Sequence, residues 1–193
     1  MALKQTPSQT VGPFFAYGLT PVPYGYPFAD LAGARLAGEG VEGERIVIEG
    51  RVFDGEGQPV PDAMIEIWQA DARGRIARPS GANAAFTGFG RCGTGSDAEQ
   101  RFRFETVKPG ALDEKQAPHI TVVVFMRGLL SHAYTRIYFA DEAEANARDP
   151  VLSGVPAERR QTLIAAREET PDGPLYRLDI HMQGARETVF FDL

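Results

Sequence analysis

His119-Ile120-Thr121-Val122-Val123-Val124-Phe125-Met126 is the most apolar run of the chain, and its reading decides the fold. The run is rich in β-branched residues and far shorter than the roughly 20 apolar residues that span a bilayer. It therefore reads as a central β-strand covered on both faces. Its opening carries a second meaning. On a strand, residues i and i+2 share a face, so a His-x-His here would offer two imidazoles to one metal ion. The second position is Thr121, whose neutral hydroxyl is a poor ligand for a transition metal, so the strand supplies at most one good donor.

Outward from this run, Ile46–Phe53 and Ala63–Trp68 are further β-branched stretches. They flank the turn-rich Asp54-Gly55-Glu56-Gly57-Gln58-Pro59 and are expected to form a hairpin-like pair. Arg101-Phe102-Arg103-Phe104 alternates as a strand with one wet face does. Further strands are expected at Ala133–Phe139, Leu175–Met182 and Glu187–Phe191, and helices at Asp141–Arg148 and Glu158–Glu168. About seven short strands with few helices, these in the C-terminal half, point to an all-β sandwich. Residues 1–44 are rich in Pro and Gly without a sustained period and read as an irregular arm. Phe14, Phe15, Tyr17, Tyr24, Tyr26 and Phe28 give that arm too much aromatic area for water, so it should lie on its own body or on a partner. A chain of 193 residues suits one domain, residues 1–193, with an arm over 1–44 and the sandwich over 45–193.

The formal net charge of -6 argues against nucleic acid or an anionic membrane as partner. The single cysteine, Cys92, excludes an internal disulfide, and Gly90-Arg91-Cys92-Gly93 reads as a loop with an unactivated thiol. Residues 1–10 have no basic and apolar leader pattern, so a cytoplasmic location is expected. Neither a GxSxG nor a phosphate-binding GxxxxGK[ST] pattern occurs. His119, His132 and His181 fall on three different expected strands. They could converge on zinc as a self-sufficient metalloenzyme, or each be a hydrogen-bonded strand residue. Trp68 and Phe125 read as core, and Tyr138 as a packed residue with its hydroxyl at an edge.

Six segments in order carry a resemblance that covers the chain. They are Thr6-Pro7-Ser8-Gln9-Thr10-Val11-Gly12-Pro13-Phe14, Ile67-Trp68-Gln69-Ala70-Asp71, Thr106-Val107-Lys108-Pro109-Gly110, Ala117-Pro118-His119-Ile120, Thr135-Arg136-Ile137-Tyr138-Phe139 and Glu187-Thr188-Val189-Phe190-Phe191-Asp192. Together they resemble the intradiol ring-cleaving dioxygenases. The resemblance implies an Ig-like or transthyretin-like β-sandwich. It also implies chemistry at a non-haem Fe(III) held by two tyrosinates and two histidines, at which a catecholate is activated for attack by O2.

Matched onto this sequence, the two tyrosine positions fall at Ile76 and Leu112, and the two histidines at His119 and Thr121. Three of four ligands are missing, and an arginine of the catalytic chains is replaced near Gln116. With no anionic donor left, the resemblance implies a vestigial site without metal and an unmetallated His119. In the family's two-chain members, an α chain of this kind pairs with an iron-bearing β chain in αβ units that assemble further. Its arm then helps to build the β chain's pocket. This implies substrate-contacting roles for Thr10, Val11, Gly12 and Pro13 and for Arg127, whose guanidinium suits the ring carboxylate of protocatechuate. The implied reaction is cleavage of protocatechuate by O2 to 3-carboxy-cis,cis-muconate. A sandwich module that binds a ligand or protein without catalysis is the rival reading.

Overall fold

The computed structural model describes residues 10–12, 15–77 and 85–192. Among these residues nine strands form the body: β1 (Arg45–Phe53), β2 (Met64–Gln69), β3 (Phe89–Gly93), β4 (Arg101–Val107), β5 (His119–Phe125), β6 (Ala133–Phe139), β7 (Ile164–Thr170), β8 (Gly173–Arg177) and β9 (Ile180–His181). Their hydrogen-bonded order is β3-β2-β5-β6-β7-β8-β1-β4, with β9 beside β1. The sheet turns over at β7. Its first residues pair with β6 through Tyr138–Ile164 and Phe139–Ala165, and the rest pair with β8. The β3-β2-β5-β6 half thereby lies over the β4-β1-β8 half, and the two inner faces make the sandwich core. Ile65, Ile67, Ile120, Val122, Val124, Ile137 and Phe139 come from one half, and Ile46, Ile48, Val52, Phe102, Phe104 and Tyr176 from the other.

The strands obey their period of two. In β4, Phe102 and Phe104 are fully buried, while Arg101 and Arg103 point outward to the carboxylate of Glu49 on β1. Glu49 is itself buried and also pairs with Arg177 of β8 at 2.6 Å, which neutralises a charge that its burial would otherwise penalise.

Several sequence expectations are corrected. β1 and β2 do not pair with each other. A local turn closes when Val60 N donates to Val52 O, and Asp54 satisfies the backbone of Glu56 and Gln58. The chain then crosses to the other half, where β2 finds β3 and β5. Residues 158–168 are not one helix: a 3-10 segment, Ala157–Leu163, gives way to β7, because Ile164 and Ala165 pair with β6. Glu187–Phe191 forms no strand and contributes an isolated bridge, Tyr134–Phe191. Cys92 lies on β3, a strand too glycine-rich to announce itself, and not in a loop. Helices are α1 (Phe15–Leu19), α2 (Ala143–Arg148) and α3 (Pro150–Gly154).

The arm is not wholly irregular. Besides α1 it contains a 3-10 turn, Val22–Tyr24, and it anchors Leu36 in the sandwich core. Phe15 packs on Phe125, while Tyr17 packs on both Tyr24 and Tyr26.

A second, smaller cluster of Ala117, Tyr138, Leu152, Val155 and Leu163 lies outside the sheet beside β6. Asp149, fully buried, organises it. Its carboxylate accepts from the Ala117, Val151 and Leu152 amides and from the Tyr138 hydroxyl. The Tyr138 hydroxyl is thus inside the protein rather than at an edge, and burial pushes its pKa up to about 12. Asp149→Ala strands three amides and a phenol and removes the α3 cap. We expect a loss of about 3–5 kcal/mol of unfolding free energy in denaturant titrations; a loss below about 1 kcal/mol would contradict this account.

Candidate functional site

The structure brings Ile76, Leu112, His119 and Thr121 to one place. They share the lining of a cavity of about 120 Å3 with Trp68, Gln69 and Ala70. Strand geometry supplies half of it. The β2–β5 register sets Trp68 opposite Thr121, and His119 shares the outward face of β5 with Thr121.

Two loops supply the rest. After β2, Asp71 caps a tight turn by accepting from the Arg73 and Arg75 amides, and a bridge between Ala70 and Ile76 closes it. Gly74 in that turn has φ 75°, and a Cβ there would sit 1.9 Å from the Ala111 carbonyl oxygen. Gly110 is as constrained, with a Cβ falling 2.6 Å from Ala72 O, and its amide donates to Asp71 O. Backbone therefore lies against backbone, and Ile76 and Leu112 meet at the cavity mouth.

The donors at this cavity do not suit Fe(III). Ile76 and Leu112 have none. His119 Nδ1 lies 2.9 Å from the Ala117 carbonyl, which only accepts, so Nδ1 bears the proton and Nε2 is the lone remaining imidazole donor. Burial holds the His119 pKa below its usual range. The Gln69 amide is consumed internally by Thr106, Ala70 and Val107. One imidazole and one hydroxyl do not replace phenolates around a ferric ion.

The three histidines do not converge either. His132 lies before β6, beside Phe125 and 2.7 Å from the Tyr134 hydroxyl, while His181 stacks on Phe53 in the other half of the sandwich. Among the described residues, no group of three or more His, Cys, Asp or Glu is placed to hold a metal.

Arg127 lies just beyond the opposite end of β5, which is roughly 20 Å long at about 3.3 Å per residue. Its side chain is 60% exposed, and its Nε donates to Asp62 Oδ2. The next amide, that of Gly128, donates to Thr10 Oγ1 at 3.1 Å. Thr10 is thereby held beside Arg127, while Gly12 O accepts from the Phe15 amide and the Phe15 ring packs on Phe125. Among the described residues, a Cβ on Gly12 would meet nothing within 4 Å. Pro13 lies outside the described residues.

Two residues of these sites escaped the sequence reading. Trp68 is half exposed on the cavity rim and not in the core, which the alternation of inward Ile65 and Ile67 with outward Glu66 already signals. Asp62 follows Pro61 in a connecting segment, where no periodicity marks it.

A family model described as dioxygenase matches residues 29–184. The chain is 56% identical to the protocatechuate 3,4-dioxygenase alpha chain of Burkholderia cepacia over 99% of this chain and 98% of that one. It is also 37% identical to the beta chain from the same organism, over 76% of this chain and 67% of that one. Among solved structures, the dioxygenase domain of a carbohydrate-binding fusion protein from Streptomyces sp. SirexAA-E superposes with a TM-score of 0.60 at 21% identity. That match covers 82% of this chain and 94% of the domain and bears on the fold alone.

Two measurements test the cavity. The chain purified alone and offered Fe(III) is expected to retain less than stoichiometric iron and to show no tyrosinate-to-iron absorption band; a stoichiometric, coloured complex would contradict the donor argument. The second concerns pH. His119 binds its proton less readily folded than unfolded, so its contribution to stability is intact above the usual histidine pKa of about 6.5 and is lost as pH falls below it. The melting temperature should therefore drop between pH 7.5 and 5.5, and His119→Gln should shrink that drop.

Proposed function

We propose, from the premise that this chain belongs to the intradiol ring-cleavage dioxygenases, that it is the alpha subunit of a protocatechuate 3,4-dioxygenase. The family's enzymes use non-haem iron. In the proposed assembly the beta chain binds Fe(III), and this chain, which has one good ligand where four are needed, binds none. The two chains form αβ units that build a larger hetero-oligomer. The assembly cleaves protocatechuate with O2 to 3-carboxy-cis,cis-muconate, a step of aromatic-compound degradation in the β-ketoadipate pathway.

The observation that carries this reading is the division of labour along β5. At one end the metal positions are filled by Ile76, Leu112 and Thr121, side chains unable to hold iron. At the other, a largely exposed guanidinium lies beside Thr10, its Nε on Asp62 and the Gly128 amide on the Thr10 hydroxyl, with its terminal amino groups left for an anion. Arg127 suits a benzoate: it is permanently charged and planar, and it matches a carboxylate through paired N–H groups. Thr10, Val11, Gly12 and Pro13 would form the neighbouring wall, glycine admitting a ring close to the backbone and proline stiffening the approach.

The chain would act as one domain, residues 1–193, with the arm over 1–44 reaching the beta chain and the sandwich over 45–193 supporting it. Its setting would be the cytoplasm; among the described residues no helix is long and apolar enough to cross a membrane.

Co-expression with the beta chain is expected to give a co-purifying complex that consumes O2 with protocatechuate, while this chain alone does not. In that complex Arg127→Ala should leave iron bound and raise KM for protocatechuate by roughly 10- to 100-fold, the loss of about 1.5–3 kcal/mol for one charge-assisted contact. Unchanged steady-state constants would remove Arg127 from the substrate pocket.

A further inference from the structure

Arg127 is held by a partner that is itself held. Asp62, whose Oδ2 accepts from Arg127 Nε, stands between two backbone groups pinned to one buried hydroxyl. Thr94 Oγ1 donates to Val60 O at 2.7 Å and accepts from the Ala63 amide at 3.2 Å, and Val60, Ala63 and Thr94 are all buried. The carboxylate therefore rides on stiff backbone, while the arginine ends a long, rotatable, mostly exposed stem. In such a pair the rigid member orients the mobile one.

The atom that Asp62 engages matters. A guanidinium presents five N–H groups in a planar fork, and the two terminal amino groups form the edge that matches a planar carboxylate end-on. Asp62 takes the acceptor place at Nε. Among the described residues it is the acceptor this guanidinium has, so the terminal edge stays uncommitted. On the other side the turn is fixed by the Gly128 amide on Thr10 Oγ1. An exposed ion pair of this kind adds little to folding stability. Its consequence is to leave the cation with fewer rotamers to lose when an anion arrives.

We propose that Asp62 is a positioning residue for the ring carboxylate of the substrate. By holding Arg127 at Nε, it presents the terminal amino edge already aligned, and so favours catechols that bear a carboxylate over those that lack one. This rests on the function proposed above and adds to it the residue that sets carboxylate selectivity.

The test uses the reconstituted two-chain complex with protocatechuate as substrate and catechol, which has no carboxylate, as competitive inhibitor. Ordering one rotamer-rich side chain corresponds to about a two- to tenfold change in affinity. Asp62→Ala should therefore raise KM for protocatechuate by about that factor, with kcat and the Ki of catechol unchanged. Asp62→Asn retains an acceptor at the same place and should recover most of the loss; Asp62→Ser, too short to reach, should not, and serves if the alanine variant fails to assemble. In an Arg127→Ala background, Asp62→Ala should add nothing.

An unchanged or lowered KM in Asp62→Ala and Asp62→Ser, with Arg127→Ala still impaired, overturns the positioning role and leaves the function intact. A further loss from Asp62→Ala when Arg127 is already absent overturns it too, since Asp62 would then act on the fold. If Arg127→Ala itself leaves KM unchanged, what fails is the assignment of Arg127 to the carboxylate, and the two failures are told apart.

Discussion

The alternation of β5 is the constraint on which the rest depends. Ile120, Val122 and Val124 must face inward, because they are the middle of a core shared by both halves of the sandwich. Register then leaves no freedom to the intervening residues: His119 and Thr121 must share the outward face. β2 and β6 pair on either side of β5, so the same inward demand fixes Trp68 across from Thr121 and Tyr138 across from His119. A one-residue slip would exchange the whole inner set for a face carrying an imidazole and a hydroxyl. Packing of the core thus places the cavity wall without help from any ligand.

This is why the cavity keeps its form although its side chains suit no metal. The contacts that bring Ile76 and Leu112 to its mouth are made by backbone, through the close approach of Gly74 to Ala111 and of Gly110 to Ala72, and through the Asp71 turn. Side chains at 76 and 112 can be exchanged without touching those contacts. Any residue with a Cβ at 74 or 110 cannot enter without parting the loops. Backbone geometry and donor chemistry are therefore separable here: the loops fix the first whatever side chains stand at 76 and 112.

Sandwich architecture was legible because its signals are local and periodic: the apolar run of β5, the alternation Arg101–Phe104 in β4 and the Asp54–Gln58 turn are each read within about ten residues. Strand partnership was not. β1 and β2 are consecutive and separated by a turn, yet the turn closes only as far as Val52–Val60, and the competition for β2 is decided by β3 and β5 from distant sequence. The same holds for Ile164–Thr170, which falls largely within the helix expected over Glu158–Glu168; pairing with β6 and β8 makes it a strand. At the candidate sites, residue types could be matched from a resemblance, but the Arg127–Asp62 pair joins positions 65 residues apart with no periodic signature on either. Such a pair becomes visible only when the sheet has placed them.

Some features of this chain do little for its own stability. Leu31 is 97% exposed, with Phe28, Val22 and Tyr26 exposed near it in the arm, and each such side chain contributes about 1.5–3 kcal/mol only when removed from water. The Arg127–Asp62 pair, screened by solvent, is worth at most about 1 kcal/mol. A chain optimised as a free monomer would gain by shortening the arm or by making it polar. By contrast, the groups that support the fold, Asp149, Glu49 and Thr94, are buried and satisfied. Exposed apolar area on the arm is what association with a partner requires, and a guanidinium with unused N–H groups is suited to an anion. The proposed subunit role is the state in which the arm's exposed apolar area is removed from water.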